Sequence, residues 1–182
     1  MKKVILIGLF FVLNLEAKSI DSLIKSFQKK DFKVVCQDGM RKFKGGNRDE
    51  NFLGMVGVAC AEIDYINPLA DLQKALKVTK AGRNNASYFA TLILQKKFLY
   101  QFMLDGIDLG YLRVPDTNHI LSIIFRNLVM NKYVVKSESP KQLEIKDGDK
   151  TIIIYIVNST PKKVMVDVYN GTGQKVSNHW YR

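Results

Sequence analysis

The chain has 182 residues, with 28 Lys and Arg against 17 Asp and Glu and a formal net charge of +11. That length fits one ordinary domain, or one with a small appendage. A hydrophobic content of 47% supplies a core, and 25% charged residues exclude both an unstructured chain and a polytopic membrane protein.

Lys2 and Lys3 precede an apolar run over residues 4–15, and Ala17 offers a small residue at a cleavage point. In order and length this reads as a secretory leader, because a dozen apolar residues are too few to span a bilayer. The mature chain is then expected to start near Lys18, without a membrane span, in the periplasm or outside the cell. Losing Lys2, Lys3 and Glu16 takes the net charge from +11 to +10. An exported basic protein meets envelope proteins and anionic envelope polymers before nucleic acid, so the former are the expected partners and nucleic acid is not.

Cys36 and Cys60 are the two cysteines. In an oxidising compartment an even count pairs most simply, and here one pairing exists. Closing a loop of about 25 residues contributes roughly 3.5 kcal/mol in the chain-entropy model. No C-x-x-C is present, and with His119 and His179 alone no spacing fits a zinc site, so neither metal nor cofactor is expected.

From residue 19 the apolar spacing of Ile20, Leu23, Ile24 and Phe27 predicts a first amphipathic helix. Asp31 is placed to cap a second helix carrying Phe32, Val35, Cys36 and Met40, although Val34 and Val35 leave a strand open. Residues 44–48, KGGNR, form a turn. Residues 49–62 open with Asp49 and Glu50, where a helix N-terminus favours negative charge, and are rich in Gly and Ala. Glycine costs up to about 1 kcal/mol of helix propensity, so a closely packed neighbouring helix is expected to offset it. A bond from Cys36 to Cys60 makes the second and third helices a clipped hairpin.

Pro68 starts a fourth helix with Leu69, Leu72 and Leu76. The organising stretch follows Gly82, over residues 84–104. On a helix its Phe89, Leu92, Ile93, Leu99, Tyr100 and Met103 share one face, while Leu94, Phe98 and Phe102 lie roughly opposite. A helix apolar on two faces must be covered on both, which makes this the central helix. Asn84 or Asn85 is placed to cap it, Gly106 to end it, and Gln95, Lys96 and Lys97 to emerge at a rim. Beyond Pro115, Ile120, Ile123, Ile124 and Leu128 predict a sixth helix.

From Tyr133 the period changes to two. Residues 150–157, KTIIIYIV, read as a strand buried on both faces, and Val164, Val166 and Val168 alternate in the next. A strand around residues 143–145 and a last one over 174–181 complete an antiparallel meander, covered on one face by the helices. The expected organisation is a leader over 1–17, a helical region over 18–132 and an antiparallel β region over 133–182, an α+β fold. Helix starts near 50 and 84 hint at a repeat, but Pro68 and Pro115 are out of step with it.

Chemistry is sparse. An envelope-polymer hydrolase needs a carboxylic acid with a raised pKa, and Glu50 and Asp64 are the candidates. Asp49, Asp105 and Asp108 sit where caps and turns want them. No G-x-S-x-G occurs; His119 reads as a partly exposed helix residue, and His179 with Trp180 and Tyr181 as packing of the closing strand. The loop over 106–116, with Asp108 and Arg113, is the place expected to meet a partner. The expected function is a binding or assembly module of the cell envelope, with a polymer hydrolase using Glu50 or Asp64 as the alternative.

Overall fold

A computed structural model describes residues 18–182; the leader expected over residues 1–17 lies outside the described residues. Helix α1 (Ile20–Gln28) is capped by Ser19, whose hydroxyl accepts from the Ser22 N–H. Asp31 precedes α2 (Phe32–Lys44), so Val34 and Val35 are helical. Asp49 caps α3 (Glu50–Glu62) through the Phe52 N–H at 2.7 Å. Such caps are worth about 1 kcal/mol each. The Cys36–Cys60 disulfide joins α2 to α3 with their Cα atoms 4.9 Å apart, and both residues are fully buried.

The small residues of α3 have identifiable neighbours. A Cβ on Gly54 would meet the Asn85 amide and one on Gly57 the Phe89 ring, while Val56 fills the space beside Gly39 of α2. Helix α3 is therefore gripped between α2 and the central helix, which is the close approach its glycines require.

Helix α4 (Leu69–Ala75) follows Pro68. The central helix, α5 (Lys80–Asp105), starts earlier than its asparagines predict. Its cap is Thr79, whose hydroxyl accepts from the Gly82 N–H at 2.8 Å, and Asn85 lies inside the helix against Gly54. The far end follows the prediction, with Gly106 left-handed at φ 68°. Phe89, Leu92, Leu99 and Met103 are buried; on the opposite side Phe102 is covered by Tyr133 and Phe98 packs on Phe125, whereas Leu94 is 42% exposed. Gln95 and Lys96 do not emerge at a rim. Gln95 is 1% exposed because its amide is satisfied internally, donating to the Pro115 carbonyl and accepting from Ser122 Oγ.

Helix α6 (Ile120–Val129) precedes five strands: β1 (Val134–Glu138), β2 (Lys141–Asp147), β3 (Lys150–Val157), β4 (Lys163–Tyr169) and β5 (Lys175–Tyr181). They form one antiparallel meander in chain order, and the fold is α+β with helices first and sheet last. Leu143, Ile145, Ile152, Ile154, Val164 and Val166 are all fully buried on one face, against which α5 and α6 pack. Strand β3 is not buried on both faces: Ile152 and Ile154 are covered, while Ile153 and Tyr155, which alternate with them, are half-buried. A single sheet with helices on one side gives that alternation, and a continuous apolar run does not distinguish it from a sandwiched strand.

Candidate functional site

Two places concentrate polar side chains beside a concave surface, the loop from Gly106 to His119 and the surroundings of Asp64. The loop is tied down from within. Asp108 accepts from the Gly110 N–H at 2.8 Å, Arg113 donates to the Gly110 and Leu112 carbonyls, and Gln95 holds the Pro115 carbonyl at 3.1 Å. Thr117 meets Ser122 Oγ, and Asp116 accepts from Arg126 at 2.7 Å. With Leu109 as a buried plug, the loop arches beside α6 and leaves a groove of about 350 Å³.

Leu112, Val114, Phe125, Val129 and Met130 line this groove, with Arg113 and Arg126 at its polar edge. Arg126 is neutralised by Asp116, whereas Arg113 makes no ion pair among the described residues. Of the two loop residues expected to meet a partner, the structure places Arg113 in the groove and Asp108 in the turn that shapes it.

The two candidate carboxylates are far from equivalent. Glu50 accepts from the backbone N–H groups of Lys77, Val78 and Thr79 and from the Thr79 hydroxyl. These bonds, led by the Thr79 hydroxyl, lower its pKa from 4.5 to about 2. A general acid needs the reverse shift, so Glu50 is a structural clamp that organises the start of α5.

Asp64 lies in the turn after α3, in the left-handed region at φ 59°. Its amide closes on the Ala61 carbonyl and that of Tyr65 on the Cys60 carbonyl, a helix C-terminal turn where glycine is usual. Asp64 Oδ1 accepts from the Tyr181 hydroxyl at 2.9 Å and faces His119 Nε2 at 3.2 Å, while Oδ2 faces His179 Nδ1 at 3.0 Å. Burial is the largest influence on this carboxyl and pushes its pKa up. The hydrogen bonds and charge of His119 and His179 override it, and the net direction is down from 3.8. The anion is therefore the held form.

His119 keeps a partial exposure, but it stands just before its helix and not within it. It is the N-cap of α6, with Nδ1 accepting from the Leu121 N–H at 3.2 Å, which leaves Nε2–H to donate to Asp64. His179, Trp180 and Tyr181 do not cluster either, because alternate strand residues face opposite ways. His179 and Tyr181 turn to the covered face and Trp180 to the other, where Lys163 and Arg182 lie over its ring at 4.9 and 5.5 Å. Ser177, two residues before His179, shares the covered face, and its Oγ is 2.9 Å from His179 Nε2.

Ser177 and the tie from Asp64 to β5 were missed by motif reasoning, which looks for neighbours in sequence. The available signal was the alternation Ser177, His179, Tyr181, three polar-tipped side chains on one face of a strand. No His, Cys, Asp and Glu grouping among the described residues is arranged to hold a metal ion. No family model matches the chain, and neither a curated protein nor a solved structure is significantly similar to it.

Proposed function

We propose that this chain is an exported binding or assembly module of the cell envelope, and that its partner docks in the groove between the 112–116 loop and α6. The observation that carries this is the groove itself: about 350 Å³, apolar walled, with Arg113 at its edge held by backbone carbonyls and without an ion-pair partner among the described residues. That volume lies within the usual range for ligand sites, and an apolar pocket with a few polar groups is their usual composition. The occupant that fits is an acidic segment of an envelope protein, presenting a large apolar side chain next to a carboxylate. Charge complementarity with a basic chain favours it.

Export rests on the order of basic residues, apolar run and Ala17, together with the disulfide, which fits an oxidising compartment. Among the described residues no helix is long and apolar enough to cross a membrane. The test is a photo-crosslinking residue at Met130, which is 56% exposed at the groove, in the native envelope. One reproducible partner, lost on Arg113→Glu, is the expected result. The same pattern of adducts from a crosslinker at Lys29, just past the end of α1, would remove the groove from the account.

A further inference from the structure

We propose that Ser177, His179 and Asp64 form an acyl-transfer site, with Ser177 as nucleophile, His179 as general base and Asp64 as the residue that positions it. The geometry is that of an orienting carboxylate, an imidazole and a hydroxyl in series: Asp64 Oδ2 to His179 Nδ1 at 3.0 Å, His179 Nε2 to Ser177 Oγ at 2.9 Å. Nδ1 faces a carboxylate and so carries the proton. Nε2 of the neutral ring is then left to accept from the Ser177 hydroxyl.

The remaining contacts fix this arrangement. Tyr181 and His119 both address Asp64 Oδ1, which leaves Oδ2 to His179. His119 cannot serve as the base, because its Nδ1 is occupied by the Leu121 N–H and its Nε2 by Asp64. Holding β5 to the helices requires Asp64 and Tyr181; a hydroxyl on the far nitrogen of His179 adds nothing to that tie.

The surroundings leave room for a substrate. Ser177 and His179 are half-buried. His179 and Asp64 help line a cavity of about 170 Å³ with Tyr88, Asn118 and Ile120, and Ser177, which is not part of its lining, borders it through His179 Nε2. At about 30 Å³ per water this holds five or six waters, enough for a small acyl group such as acetyl. In the pairing of β4 with β5, Val168 faces Ser177 and Tyr169 faces Lys175, so Val176 is an extra residue, a bulge immediately before the nucleophile. Among the described residues β5 pairs with β4 alone, so alternate backbone N–H groups on its outer edge have no ladder partner there, and these are the donors the proposal assigns to an oxyanion.

The substrate class is an ester of a small acid. Ser177 Oγ bonds to the ester carbonyl carbon as its proton passes to His179 Nε2. Collapse of the tetrahedral intermediate breaks the acyl carbon to oxygen bond, and the alcohol leaves with the proton from His179. Water then attacks the acyl-serine, gives a proton to His179, and the acid departs as Ser177 recovers its hydrogen. Ester and water become acid and alcohol, with no other reactant. This site is separate from the groove and does not depend on it.

The experiment treats the folded, oxidised protein with a fluorophosphonate and follows intact mass, then maps the adduct by peptide mass. One phosphonyl group on Ser177 is expected, absent in Ser177→Ala and formed at least about 100-fold more slowly in His179→Gln. Para-nitrophenyl acetate should be hydrolysed with the same dependence on both residues. Mapping of the wild-type adduct stands whether or not a variant folds. No adduct, an adduct elsewhere, or a rate at Ser177 no faster than in the urea-unfolded chain would overturn the proposal.

Discussion

Asp64 and Tyr181 are 117 residues apart in sequence and are joined by a hydrogen bond of 2.9 Å from phenol to carboxylate. Tyr181 is 1% exposed. Burial, reinforced by the Asp64 charge and hydrogen bond, pushes its phenol well above 10, so it remains a donor at any physiological pH. The bond fastens the last strand to the turn after α3, while α5 and α6 contact β3 and β2. The sheet is thus held at its middle by apolar packing and at its β5 edge by a polar tie.

Removing the two ends of this tie should cost different amounts. Tyr181→Phe deletes one donor and leaves Asp64 facing both histidines, a loss of about 1–2 kcal/mol. Asp64→Ala leaves the Tyr181 hydroxyl and both imidazoles without their acceptor, and should cost about 3 kcal/mol or more. Urea unfolding monitored by circular dichroism compares them. Equal losses would mean that the histidines do not depend on Asp64.

Much of this architecture was legible in the chain because it rests on periodicity. The change from period 3.6 to period 2 after Tyr133, the two cysteines, and Gly106 at the end of α5 each have a local physical cause. Contacts made by polar side chains across long separations were not legible. Glu50 reaches residues 77–79, Gln95 reaches Pro115 and Ser122, and Asp64 reaches His119, His179 and Tyr181. Nothing local marks such partners, so Gln95 and Lys96 read as surface, and His119 as a helix residue instead of a cap. The loop around Arg113 was visible by its glycines, but the groove beside it required α6 in place.

The glycines of α3 supply a packing prediction. An added Cβ at Gly57 would overlap the ring of Phe89, a fully buried side chain of α5 with no space to retreat. Gly57→Ala should therefore destabilise by about 1–3 kcal/mol despite its gain in helix propensity. The double variant with Phe89→Leu should recover part of that loss. A stabilising Gly57→Ala in thermal unfolding would show that α3 and α5 are looser than this packing.

Reduction of the disulfide should act mainly on the unfolded state. With a sequence separation of 24 residues, the chain-entropy model gives roughly 3.5 kcal/mol. Because the bridge joins α2 to α3 and not to the sheet, hydrogen exchange after reduction should speed up first in α2. Uniform acceleration across helices and strands would instead indicate that the hairpin and sheet open as one unit.

Acid should expose the role of Glu50. Its folded pKa of about 2 lies below the ordinary 4.5, so its hydrogen bonds to Val78 and Thr79 contribute stability fully above pH 4.5. That contribution is lost as pH falls from 4.5 through 2, and is gone only below the folded value, where folded and unfolded carboxyls are both protonated. Asp64, also depressed, loses its own contribution as pH falls through its lowered value, but it does so equally in wild type and in Glu50→Gln. The stability difference between these two proteins should therefore be constant at neutral pH and shrink steadily as pH falls from 4.5 through 2. Chemical denaturation at a series of pH values measures it. A difference that persists unchanged to pH 2 would mean that the charge on Glu50 is not what holds the 77–79 backbone, and that the start of α5 is set by the Thr79 cap alone.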